Sequence, residues 1–281
     1  MKRITAIAAI LILSAWAAFG QAQINTRKFR LQDFKLKTTK VVMSGHEAID
    51  NALMRDITER WNLSPFEFCS LEEFEELKIY DAYYFLLLAD GPSGPEGESG
   101  ITFLTLVKGG EEASKGINHM LEVVSVPFAP AGGMSVRSLL YLPALIDIVQ
   151  DFVPRAMEKA AAGYAGLNSY SKNLLKSRNK RIYLSEDDLD DNVTEKVLAR
   201  LDSDIIVTSE DEVDNVYSAK TYNTLVSYVV APVFPWKGSE CYKMLIEADT
   251  HTLYYYRRSK LSGKSGAGFA PDDIKRLSAG R

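Results

Sequence analysis

"KVVMSGHEAIDNALMRDITERWNLSPFEFCSLEEFEEL" (residues 40–77) and "RIYLSEDDLDDNVTEKVLARLDSDIIVTSEDEVDNV" (181–216) follow one plan. Ser44 aligns with Ser185, Asn51 with Asn192 and Trp61 with Leu201; residues 70–74 align with 209–213. Each copy opens on a short β-branched or apolar run that ends in serine. An apolar stripe at four-residue spacing follows: Ile49, Leu53, Ile57 and Trp61 in the first copy, Leu189, Val193, Val197 and Leu201 in the second. That spacing places each set on one face of a helix. "FEFC" and "DIIVT" read as strands. Ser70 with Glu73, and Ser209 with Glu212, read as capping boxes that open a second, short helix. Self-similarity at a fixed offset marks a duplicated supersecondary unit.

The match extends outward. "DAYYFLLLA" (81–89) parallels "NTLVSYVVA" (223–231), and the Gly- and Pro-dense "GPSGPEGESG" (91–100) and "PVFPWKGSE" (232–240) are connecting turns. "ITFLTLVKGG" (101–110) parallels "YKMLIEADTH" (242–251), and "NHMLEVVSV" (118–126) parallels "HTLYYYRRSK" (251–260). The fold class is therefore α+β, a tandem duplication of a β-α-β-α-β-β-β module with a helix after each copy. The first such helix is long, over 136–175, and the second is "PDDIKRL" (271–277). In the long one Leu142, Leu145, Ile146, Val149, Phe152, Val153, Met157 and Ala160 keep i, i+3, i+4 spacing. Pro143 suits a first turn, whereas Pro154 predicts a kink or split. Asp147, Asp151, Glu158 and Lys159 argue against a membrane span. The expected organisation is a signal peptide at 1–22, a first module at 23–135, a helical connector at 136–178 and a second module at 179–281. The modules are expected to pack as pseudo-equivalent domains, with Trp61 and Leu201 in matching core positions.

The opening "MKRITAIAAILILSAWAAFGQAQ" has a basic start at Lys2 and Arg3, an apolar middle, and small residues at Ala18, Gly20 and Ala22. This is the pattern of a secretory leader, so the expected location is periplasmic or secreted. With that leader removed, no membrane-spanning segment is expected. The net charge is −4, and loss of Lys2 and Arg3 makes the mature chain more acidic. Such a balance gives no electrostatic reason to bind nucleic acid. Two cysteines, Cys69 and Cys241, are too few for a disulfide framework and read as buried small hydrophobes.

Few residues suggest chemistry. "SGKSGAGF" (262–269) contains the Gly-Lys-Ser that ends a P-loop, but Arg258 stands where that motif needs its first glycine, so no nucleotide is expected. His46, His119 and His251 fit no close metal spacing. The acidic runs at 186–191 and 210–214 lack calcium-loop positions and read as solvated helix starts. No catalytic, cofactor-binding or metal-binding residue is assigned. Tyr254, Tyr256, Arg257 and Arg258 form the one candidate binding surface, a stacking platform with cationic neighbours. The basic residues Lys172, Lys176, Arg178, Lys180 and Arg181 read as a solvated linker.

The order of strands and helices after a leader is similar in topology to the N-terminal α/β modules of the Tol translocation protein and related curli-secretion modules. "SPFEFCSLEEFEELK", "YYFLLL" and "GAGF…DDIKRL" resemble a group of uncharacterised exported proteins of Gram-negative gut bacteria. That resemblance implies an exported envelope protein and carries over no catalytic residues. The sequence thus points to a non-enzymatic binding or scaffold module whose partner is another envelope protein or a surface polymer. The alternatives are a hydrolase of envelope polymers with its site in an inter-module cleft, and a small-ligand or glycan binder. Exported material is expected to begin at Gln21 or Gln23; N-terminal sequencing that returned Met1 would refute the leader.

Overall fold

The computed structural model describes residues 31–279 except 96, 98, 99, 159–162, 164 and 263–265. The leader expected at 1–22 and the triplet Gly263-Lys264-Ser265 lie outside the described residues. The first half runs β1 (Thr38–Val42), α1 (Glu47–Arg60), β2 (Phe66–Cys69), α2 (Leu71–Leu77), β3 (Tyr83–Asp90), β4 (Ile101–Lys108) and β5 (Leu121–Pro130). Helix α3 (Val136–Glu158) and a 3-10 stretch (Gly166–Lys176) follow. The second half runs β6 (Arg181–Ser185), α4 (Glu195–Leu198), β7 (Ile205–Thr208), α5 (Glu210–Ser218), β8 (Thr224–Val230), β9 (Glu240–Glu247), β10 (Leu253–Lys260) and α6 (Pro271–Ala279).

The two sheets have the same topology. Their orders are β2-β1-β3-β4-β5 and, read from the matching edge, β7-β6-β8-β9-β10. In each, the first strand lies parallel between the second and third, and the last two strands run back antiparallel. The α+β class and the duplication both hold. Among the described residues no helix is long and apolar enough to cross a membrane.

The copies differ after their first strand. In the first, Ser44 and Gly45 bind the Asp50 carboxylate through their backbone N–H groups, and α1 follows. In the second, the expected helix is reduced to a 3-10 turn at Glu186–Asp188 and the single turn of α4. Leu189 is held extended by a bridge to Phe269, whose N–H donates to the Asp188 carbonyl while its own carbonyl accepts from the Asp190 N–H. Asp190 Oδ1 then accepts from both the backbone and the side chain of Asn192. Local bonds of this kind compete with helix formation. Gly268, at φ +101° and pressed against the Asp188 carbonyl, permits the close approach. The second capping box is also half made. Ser70 and Glu73 cap α2 reciprocally, whereas Ser209 only accepts from the Glu212 N–H.

A single apolar core joins the halves. It takes Leu53 and Ile57 from α1 and Trp61 just after it, Tyr84, Leu86 and Leu104 from the first sheet, and Leu142, Leu145, Val149 and Phe152 from α3. From the second half it takes Val213 and Tyr217 of α5, with Val226, Tyr228, Met244 and Ile246 of the sheet. The outer face of the first sheet carries Val42, Cys69, Phe85 and Leu87 under Phe74 of α2. The outer face of the second carries Leu184, Leu225 and Leu245 under Ile274 and Leu277 of α6, with Leu189, Val193, Val197 and Leu201 against them. The copies therefore turn opposite faces inward: the α1 side in the first, the α5 side in the second.

Helix α3, which opens the 136–178 stretch expected as a connector, supplies the middle layer of this core. The helix, described over Val136–Glu158, runs through both Pro143 and Pro154. Burial between two sheets outweighs the roughly 3 kcal/mol that an interior proline costs. The basic stretch is likewise not a linker. The 3-10 run lies along β10, where Ser171 Oγ donates to the Tyr256 carbonyl and Asn173 to that of Leu253, covering the edge of the second sheet. Trp61 and Leu201 do not occupy matching sites, because the inward faces are exchanged. Trp61 is 6% exposed in the shared core, whereas Leu201 is half-buried against the outer cluster.

Trp61→Ala is expected to cost about 3–5 kcal/mol and Leu201→Ala about 1–2 kcal/mol, since truncation costs scale with the cavity left. Both variants should unfold in one urea transition, seen alike by fluorescence and circular dichroism. Two separated transitions would contradict the shared core.

Candidate functional site

The structure disperses the tyrosine-arginine candidates. Tyr256 is buried in the shared core near Tyr242. Tyr254 packs partly against the outer cluster, with the Lys180 ammonium over its ring. Arg257 binds Asp273 at 2.5 Å and Asp272 at 3.1 Å, and Arg258 is paired with Glu240. Tyr254 and Tyr256 are two residues apart and would share a face of a regular strand, but the register shift between Leu253 and Tyr255 sends their rings to different layers, and carboxylates neutralise both cations. No common platform results. Lys180, from the basic stretch, pairs with Glu247.

The acidic runs, read from sequence as solvated, instead hold the head of α3. Arg137 is nearly buried. Its guanidinium donates to both Asp188 oxygens at 3.1 Å, to Glu210 at 2.8 Å, to Asp214 at 3.1 Å and to the Ser227 carbonyl. It also lies over the rings of Tyr141 and Tyr228, which stack at 4.4 Å. Burial disfavours the charged guanidinium, but Asp188, Tyr141 and Asp214 together raise its pKa. Burial also lifts the carboxyls of Asp214 and Glu210 above their ordinary range, against the pull of Arg137. The overlooked signal is Arg137 itself. A cation one turn before Tyr141, at the head of an apolar helix, requires acidic partners from elsewhere.

A second polar array crosses the junction further along α3. His251 Nδ1 lies 2.7 Å from Asp147, and its Nε2 lies 3.2 Å from the Tyr217 hydroxyl. Arg60 donates to the same Asp147 oxygen at 2.7 Å. A carboxylate–imidazole–phenol order can share a proton. Here Tyr217 and His251 are buried, and burial raises the Tyr217 pKa. The array ties α1, α3, α5 and the β9–β10 turn together, in the place where the sequence suggested a cleft.

Both cysteines are free and buried. Burial pushes each thiol up to about 11, so neither is poised as a nucleophile.

An open pocket of about 460 Å³ lies where the segment after β6 meets the β8–β9 hairpin. Asp187, Leu189 and Asp191 form one wall, Pro235, Trp236 and Lys237 another, and Leu261, Gly266 and Ala267 belong to the glycine-rich loop. Sequence reading missed it because its walls come from three segments that converge through long-range contacts, the Leu189–Phe269 bridge and the backbone bonds of Leu261 with Gly238 and Ser239. Beside it the hairpin tip exposes Val233 (52%) and Phe234 (77%). The hairpin leans on the first half: a Cβ added at Gly133 would lie 2.6 Å from Val233. Comparison with protein-family models, curated proteins and solved structures finds no match.

Arg137→Ala is expected to destabilise the chain by about 3–5 kcal/mol in urea unfolding, because it leaves Asp188 buried without its counter-ion. Arg137→Lys should recover only part of this, since an ammonium cannot reproduce the forked donors. A loss below about 1 kcal/mol for the alanine variant would show that the cluster is dispensable.

Proposed function

We propose that the chain is a non-enzymatic binding or scaffold module of the cell envelope, and that its partner docks on the 231–239 hairpin and the pocket at its base. The carrying observation is the exposed pair Val233 and Phe234 next to a pocket lined by Trp236 and Pro235. Contiguous exposed apolar side chains with polar neighbours are the signature of a binding site. The shared core supports the same reading, because it fills the junction where a cleft enzyme would need space. It also makes a rigid base for the hairpin. The envelope location rests on the leader pattern at 1–22.

The test is a photo-cross-linking amino acid at position 234 in cells. The control is the same group at Tyr222, an exposed residue that precedes β8, whereas the hairpin follows it. A discrete adduct is expected from 234, absent from 222, and lost when Trp236→Ala is added. Equal adducts from both positions, or none from 234, would reject the docking face.

A further inference from the structure

We infer that the hairpin pocket is a recognition site for a basic group, a guanidinium or ammonium carried beside an apolar residue on the segment that docks there. The inference rests on the docking reading above and adds the chemistry of what enters.

Three carboxylates set the charge. Asp187 and Asp191 line the pocket and are exposed. Asp190 lies between them in sequence and is 2% exposed. Its Oδ1 is occupied by Asn192, at 2.8 Å from the backbone N–H and 2.6 Å from the amide. Its Oδ2 has no hydrogen-bond partner among the described residues. A buried polar atom without a partner is costly and uncommon. Here it lies directly behind the pocket wall, since a Cβ built on Gly266, a lining residue, would sit 3.6 Å from that oxygen. The neighbouring Asp188 is already satisfied by Arg137. Among the described residues Asp187, Asp190 and Asp191 make no ion pair, whereas Asp188 and Asp214 do.

The remaining lining selects among cations. The described residues contain no group of three ligands placed to hold a metal ion. Trp236, Pro235, Leu189 and Leu261 instead offer an apolar bed. That bed suits the aliphatic stem of a lysine or arginine, and an aromatic face attracts its charged head. Lys237 is the single described cation in the wall, against two lining carboxylates and the one behind them, so an anionic ligand fits less well.

The probe is N-acetyl-phenylalanyl-arginine amide, with the citrulline peptide as its neutral counterpart of equal shape. Binding to the mature chain is followed by NMR at the Trp236 indole N–H. The arginine peptide should shift that resonance saturably, and the citrulline peptide should bind at least about tenfold more weakly, as loss of a charge-assisted hydrogen bond implies. Asp190→Asn and the double variant D187N/D191N should each reduce the arginine peptide toward the citrulline value. The double variant decides the matter if Asp190→Asn fails to fold, because Asp187 and Asp191 are exposed. Equal binding of the two peptides, unchanged in the double variant, would overturn the basic-group inference and leave the docking face intact. No shift at Trp236 with either peptide would also overturn it, while the cross-link from position 234 separately decides the docking reading.

Discussion

The buried guanidinium of Arg137 is the constraint around which the second half is arranged. A charge taken out of water must be surrounded by acceptors, or it costs several kcal/mol. Its acceptors come from the segment after β6, from α5 and from β8. For Asp188 to reach it, the chain after Ser185 must leave the strand in a tight turn and then stay extended at Leu189. A regular first helix like α1 would carry the acidic run away. The same detour brings residues 187–191 against the glycine-rich loop, and the pocket forms there. The ion cluster in the core and the open site on the surface are thus two outcomes of one backbone path.

Much of this architecture was legible in the sequence, and its limits have physical reasons. Hydrophobic spacing and serine caps revealed the repeat, because topology depends on which segments are strands and helices. The stripe Leu189, Val193, Val197 and Leu201 was read as a helix, since its spacing is helical and its burial is real. What overrode it was a long-range bridge from Phe269, which no local pattern encodes. Tyr254, Tyr256, Arg257 and Arg258 looked like a surface because adjacent letters were read together. In the fold their neighbours are Tyr242, Lys180, Asp273 and Glu240, all of them distant in sequence or in layer. The pocket was invisible for the same reason, whereas the exposed tip lay within a turn that the sequence had placed correctly.

The junction also changes the meaning of the duplication. Each module alone would leave the inward face of its sheet only partly covered, by α1 in the first and α5 in the second. Helix α3 covers both at once, and the polar ties at its head and its middle, Arg137 to Asp188 and Asp214 and His251 to Asp147, fix how the sheets sit against it. Sequence identity between the copies need not be high under this arrangement. The inward face of one corresponds to the outward face of the other, so equivalent positions meet different surroundings.

That exchange of faces is a statement about symmetry. Two copies related by a twofold axis would present the same face to each other and close the assembly. These two meet front to back, as successive units of a stack do, and a front-to-back contact has no built-in end. A third module could in principle be laid on either outer sheet by repeating the same step. Unlike pieces cover the two outer sheets: α2 and the 3-10 turns at Glu111–His119 on one side, α6 and the irregular 186–201 segment on the other. These elements act as caps on the outer faces. Stripping one of them would expose a surface already shaped to receive another copy, with self-association along the stacking direction as the consequence.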